Sequence, residues 1–292
     1  MKRHLGAVIL CMLVLVACDK SPPQQVVVYV PTEFEEYANS WLVESGLAVT
    51  VIAGNSSAIT DEIIGKQDSP RADVLITSNA IDIWRAADVG ALRPIAGEAL
   101  AGVPSQLKDP DGSWAAIGYR RLVIGVARDA DRQLVSNLRD LAAPGLAGKL
   151  CLSSSSLPAS RALVGMLIED LGVKPAERLV RSWVRNLAAA PFASEVELRA
   201  SLERGDCDFG IVSKLPDGTS IGAVALLPAY LQIDGVGISR HAENADAAQQ
   251  LVDWMLSDYQ PDELNGSVVH NAGVAGWRDE DARLLAERAG YR

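Results

Sequence analysis

The run Val26-Val27-Val28-Tyr29-Val30 constrains the fold more than any other feature of this chain. Five consecutive β-branched or aromatic residues without a polar interruption describe a strand buried on both faces, because a half-exposed strand alternates. Pro31-Thr32 breaks the run, and residues 33–44 then place Phe34, Tyr37, Ala38, Trp41 and Leu42 at helical spacing ahead of Gly46. The unit recurs. A strand over 47–53 leads through Gly54-Asn55-Ser56-Ser57 into a helix over 58–66, and a strand over 72–77 leads through Ser78-Asn79 into a helix carrying Ile81, Trp84 and Ala87. Buried strands alternating with helices pair in parallel and are covered by helices on both faces, which predicts an α/β fold.

The second half keeps this grammar. An apolar run over 114–128 is interrupted by Tyr119-Arg120-Arg121, and a short strand over 149–153 opens onto Ser153-Ser154-Ser155-Ser156. A helix begins near Leu157-Pro158, where a first turn tolerates proline, and ends by Gly172. Helices are expected over 175–187, 194–204, 245–257 and 279–289, and strands over 208–212 and 235–238. With 292 residues the chain has length for about two domains.

The first residues are read apart from the fold. Lys2, Arg3 and His4 precede an apolar stretch over 5–16, which is short of the roughly 20 residues a membrane-spanning helix needs. Residues 1–17 therefore read as a signal peptide. Leu15-Val16-Ala17-Cys18 resembles the lipobox of bacterial lipoproteins, which implies cleavage before Cys18 and acylation of that residue. Asp19 resembles the signal that retains such proteins at the inner membrane. Residues 18–25, with Ser21-Pro22-Pro23, form a polar tether, so the only expected membrane contact is the lipid. Cys11 leaves with the signal and Cys18 is consumed, leaving Cys151 and Cys207 in an oxidising compartment. A disulfide is the leading reading, against a metal pair or two buried thiols; no Cys-x-x-Cys and no nearby histidine supports a metal.

The net charge of −10 gives no basic surplus with which to displace counterions from nucleic acid. Catalytic constellations are equally absent: His241 and His270 stand alone, there is no nucleophile elbow, and no enzyme activity is expected.

In an open parallel sheet, ligands sit beyond the carboxyl ends of the strands, beside helix N-termini. Those ends carry Thr32 and Glu33, Asn55 and Ser56, Ser78 and Asn79, Ser155 and Ser156, and Ser213 and Lys214. Each taken singly is an ordinary helix cap. Together with Arg120, whose planar fork fits carboxylate or phosphate, they describe one cleft for an oxyanion. Tyr119 is placed beside Arg120, with packing as its alternative.

Several stretches carry a family likeness: the start at Val26, Pro-Arg-Ala-Asp-Val-Leu-Ile-Thr at 70–77, Trp114 through Arg120, and Ala162-Leu163-Val164. Gly-Asp-Cys-Asp-Phe-Gly-Ile-Val at 205–212 and Asn271-Ala272-Gly273-Val274 complete the set. In their order and spacing the chain resembles a bacterial solute-binding protein of an ABC importer with type II topology, of the group typified by ferric-ion-binding proteins. The resemblance implies a two-lobed periplasmic binding protein, monomeric, that traps a solute between lobes and delivers it to an inner-membrane permease. Residues 26–116 plus 233–292 would form lobe 1 and residues 117–232 lobe 2. The family's adjacent tyrosines fall here at Ser213-Lys214-Leu215-Pro216, its carboxylate at Ser78 and its early histidine at Glu33. No metal-ligand set or cofactor is therefore expected. The cargo is expected to be a small anionic solute or a ferric complex. Two other readings are ferric-ion binding through non-tyrosine ligands and a non-transport sensor or assembly lipoprotein.

Overall fold

The structure is a computed structural model that describes residues 25–65, 72–213, 215, 217–258 and 270–292. Cys18, Asp19 and the signal segment lie outside the described residues, as does Lys214.

The opening run forms β1 (Gln25–Pro31), followed by α1 (Glu35–Glu44), β2 (Ala48–Gly54), α2 (Ser56–Gly65), β3 (Val74–Thr77) and α3 (Ala80–Asp88). β1 lies between β2 and β3, parallel to both, and Val26, Val28, Tyr29 and Val30 are buried, as an unbroken apolar run requires. A two-residue β4 (Leu92–Arg93) and a short α4 (Glu98–Gly102) lead to β5 (Ala115–Arg121). The apolar run over 114–128 is two strands: the chain leaves β5, turns at Leu122, and enters β6 (Val123–Val126) in a different sheet.

The second sheet is built from β6, β7 (Leu150–Cys151), β8 (Phe209–Val212) and β9 (Gly222–Ala225), in the order β7-β8-β6-β9. Between β7 and β8 run α5 (Pro158–Leu171), α6 (Val173–Arg185) and α7 (Glu195–Arg204). Cys151 and Cys207 form a disulfide, with Cα atoms 6.0 Å apart. It sits in a small apolar cluster with Leu198, Leu202, Val212 and Ile221. In the chain-entropy account, tying residues 56 apart stabilises the fold by roughly 4 kcal/mol.

β10 (Leu231–Ser239) returns to the first sheet, antiparallel to β3, β4 and β5. It is longer than the strand expected over 235–238, because Leu231 and Ile233 alternate with Gln232 and Asp234 and extend it by four residues. α8 (Ala245–Asp258) packs on the first sheet. α9 (Val274–Trp277) sits against α3 and α5, and α10 (Asp279–Ala289) packs on α5 and α6. The structure departs from the expectation that 233–292 belongs wholly with the first half. The apolar face of α10, with Ala282, Leu285 and Ala286, is buried against helices of the second half. Among the described residues the chain thus passes between halves at Leu122 and over 226–230, while α9 lies against helices of both halves.

Candidate functional site

β5 and β10 form the antiparallel ribbon that joins the halves, and it carries the centre of the candidate site. Gln232 pairs with Arg120 and Asp234 with Gly118, so these four residues share one face. The Arg120 guanidinium grips Asp234 with two bonds, Nη1 to Oδ2 at 2.6 Å and Nη2 to Oδ1 at 2.8 Å. Nη2 also reaches the Ser78 carbonyl oxygen at the end of β3, at 3.5 Å. Gly118 leaves room for the carboxylate: a Cβ there would stand 3.0 Å from Asp234 Oδ2.

Asp234 is bound to this guanidinium, and the charges of Glu195 and Glu33 also reach it. Burial works against the Arg120 charge, but Asp234, Glu195 and Glu33 outweigh it and raise its value above the ordinary one. Burial raises the Asp234 carboxyl; Arg120 opposes that rise and Glu33 adds to it. Glu33 comes from the exposed end of β1 beside Thr32, and Glu195 opens α7 in the second half. Glu195 accepts from the Ser213 amide at 3.0 Å and its hydroxyl at 2.7 Å, and pairs with Arg199 at 2.6 Å. Next to it, Ser153, Gln232, Ile211, Leu122 and Tyr291 line a cavity of about 60 Å³.

Most of the donors that the sequence offers to an external oxyanion hold the protein's own oxygens. Ser56 Oγ and Asn79 Nδ2 donate to Asp82 Oδ2 at 2.8 and 2.7 Å, and Ser57 donates to both Asp82 oxygens at 3.1 Å. Asp82 is only 1 % exposed, so a carboxylate already fills the place where α2 and α3 begin. Asn79 is the cap of α3, and Asn55 Oδ1 accepts from the Ala58 amide in the first turn of α2. Ser155 donates its hydroxyl to the Tyr291 carbonyl oxygen at 3.0 Å and its amide to that of Arg292 at 3.2 Å. Ser156 is exposed, its amide bonded to Ser154 Oγ. Tyr119 is the clearest departure from expectation. The pleat puts it opposite Arg120, paired with buried Ile233 and packed against the core.

Sequence reasoning missed Asp82, Asp234 and Glu195. Asp82 carried a signal, since Asn79-Ala80-Ile81-Asp82 has the spacing of a capping box with a short acid. Glu195 is the first helical residue after the cap Ser194, where an acid suits the helix N-terminus, while the capping-box position itself is held by Glu197. Asp234 was hidden because a carboxylate inside a strand looks like its end.

The family described as bacterial extracellular solute-binding protein matches residues 26–260 of the chain. The chain belongs to that family. Among relatives, iron uptake protein A1 of Synechocystis is 25 % identical over 247 residues, covering 78 % of this chain and 68 % of its own. The Fe(3+)-binding periplasmic protein of Serratia marcescens is 24 % identical over 264 residues, covering 84 % and 77 %. The structure of Trichodesmium FutA in complex with iron and citrate superposes with a TM-score of 0.79 at 21 % identity, over 92 % of this chain and all of that one. Apo FutA2 from Synechocystis gives a TM-score of 0.82 at 20 % identity, over 93 % of this chain and 100 % of its own. The fold is that of the two-sheet periplasmic binding proteins, and this solute-binding protein shares it across nearly its whole length.

Proposed function

We propose that this solute-binding protein supplies an ABC importer with a ferric complex of an anionic organic acid, and that free anions are not its cargo. The observation that carries this reading is the setting of Arg120: gripped by Asp234 from within the ribbon and faced by Glu33 and Glu195 from the two halves. A bare anion entering there meets a guanidinium already paired with Asp234 and within the field of Glu33 and Glu195. A bare ferric ion meets no close cage, since among the described residues no three His, Cys, Asp or Glu stand together for a metal. A ferric complex answers both conditions. Its metal charge offsets the carboxylates, and its organic acid takes donors from Arg120, which has five N–H groups and spends three on Asp234 and the Ser78 carbonyl. Relatives named for iron uptake and ferric binding, and a structural neighbour holding iron with citrate, support the same reading.

Capture would follow lobe closure, the complex bridging the halves and favouring the closed arrangement. In this reading the protein works in the periplasm as a monomer tethered through Cys18, supported by the lipobox-like Leu15-Val16-Ala17-Cys18 and favoured at the inner membrane by Asp19. Among the described residues no helix is long and apolar enough to cross a membrane. Titration calorimetry with ferric citrate, citrate alone and phosphate tests the proposal: heat of binding is expected with ferric citrate only. Equal affinity for metal-free citrate or phosphate would contradict it.

A further inference from the structure

One carboxylate holds both the segment that leads into β10 and the segment that leads into α9. Asp170, at the end of α5 in the second half, accepts a 2.5 Å hydrogen bond from the Tyr230 hydroxyl on one oxygen, while His270 Nε2 contacts the other. Tyr230 ends the second passage; its carbonyl oxygen accepts from the Leu122 amide at 2.8 Å, which joins it to the first passage as well. His270 stands just before α9. Its neighbours are pinned to the first half: Asn271 Nδ2 donates to the carbonyl oxygens of Ser105 and Lys108 at 2.7 and 2.8 Å, and the Ala272 amide donates to that of Gln106 at 2.8 Å. Lys108 in turn bridges to Ala115 of β5.

We infer that Asp170 is a positioning residue for lobe closure: it clasps the segment leading into β10, through Tyr230, and the segment leading into α9, through His270, to the end of α5. Few other charged groups stand near it among the described residues. Arg139 shares a cavity with Asp170 and Tyr230, and Glu169, next in sequence, is engaged by Arg278 from the start of α10. Burial, then the hydrogen bond and charge of Asp170, push the Tyr230 phenol far above its ordinary value, against the charge of Arg139, so Tyr230 stays a donor.

The inference bears on the closure that the proposed capture requires, but its test uses the protein without any solute, so the two can fail separately. Amide exchange is followed by mass spectrometry at a single pH in the wild type and in Asp170→Asn, Tyr230→Phe and His270→Gln. Asp170→Asn should speed exchange about tenfold over both 226–233 and 270–275. Tyr230→Phe should act on the first segment and His270→Gln on the second. If Asp170→Asn does not fold, the other two variants still decide. Unchanged exchange in both segments, or acceleration spread evenly through α5, α6 and α10, would overturn the inference.

Discussion

Arg120 decides the charge balance of the cleft only together with Asp234. The pair is bidentate, and the guanidinium is about a quarter exposed, at 27 %, so removing its partner leaves a poorly solvated charge. Asp234→Asn should destabilise the protein by about 2–4 kcal/mol at neutral pH, read from chemical unfolding. The pH dependence has a definite sign. Burial raises the Asp234 carboxyl from its ordinary 3.8, so the folded protein takes up this proton at higher pH than the unfolded chain does. The stability contributed by protonation is complete below 3.8 and is lost as pH rises through the raised value. The stability difference between wild type and Asp234→Asn should therefore grow as pH falls through that window; a difference that shrinks there would place the proton elsewhere.

At the scale of elements, the strand and helix pattern was legible because β1, β3 and β8 are continuous apolar runs and α3 and α7 carry caps in the sequence. What could not be read was which element satisfies which. Ser56 looks like an open donor in a linear sequence, and only the packing of α2 against α3 brings it onto the Asp82 carboxylate that Asn79 already meets locally. The serine turn at 153–156 looks equally open until Tyr291 and Arg292, more than a hundred residues later, fold against it. Tyr119 was misplaced for a simpler reason: the interruption at 119–121 concealed a strand whose period of two sends neighbours to opposite faces. The Asp82 network has a measurable consequence. Asp82→Asn turns an acceptor of several bonds into a group with donors of its own, facing other donors, and should cost about 2 kcal/mol, against about 1 kcal/mol or less for Ser57→Ala. Melting curves of the two variants check this, and equal losses would mean that Asp82 is a simple helix cap.

Over the whole molecule, the halves differ in what they bring to the cleft. The first half supplies Glu33 from the end of β1, the second supplies Glu195 from the start of α7, and the ribbon between them supplies Arg120 already paired. Such a groove has more negative than positive charge among its described residues, which is the reverse of a trap for free anions and suits a solute that carries its own metal. Calorimetric affinities for ferric citrate in Glu33→Gln and Glu195→Gln, one from each half, measure this directly. Both substitutions are expected to weaken binding about tenfold, because each removes negative charge from around Arg120, where the proposed metal-bearing solute would sit. If neutralising either carboxylate strengthened binding instead, the groove would be an anion trap held back by its own acids, and a metal-bearing solute would not be its cargo.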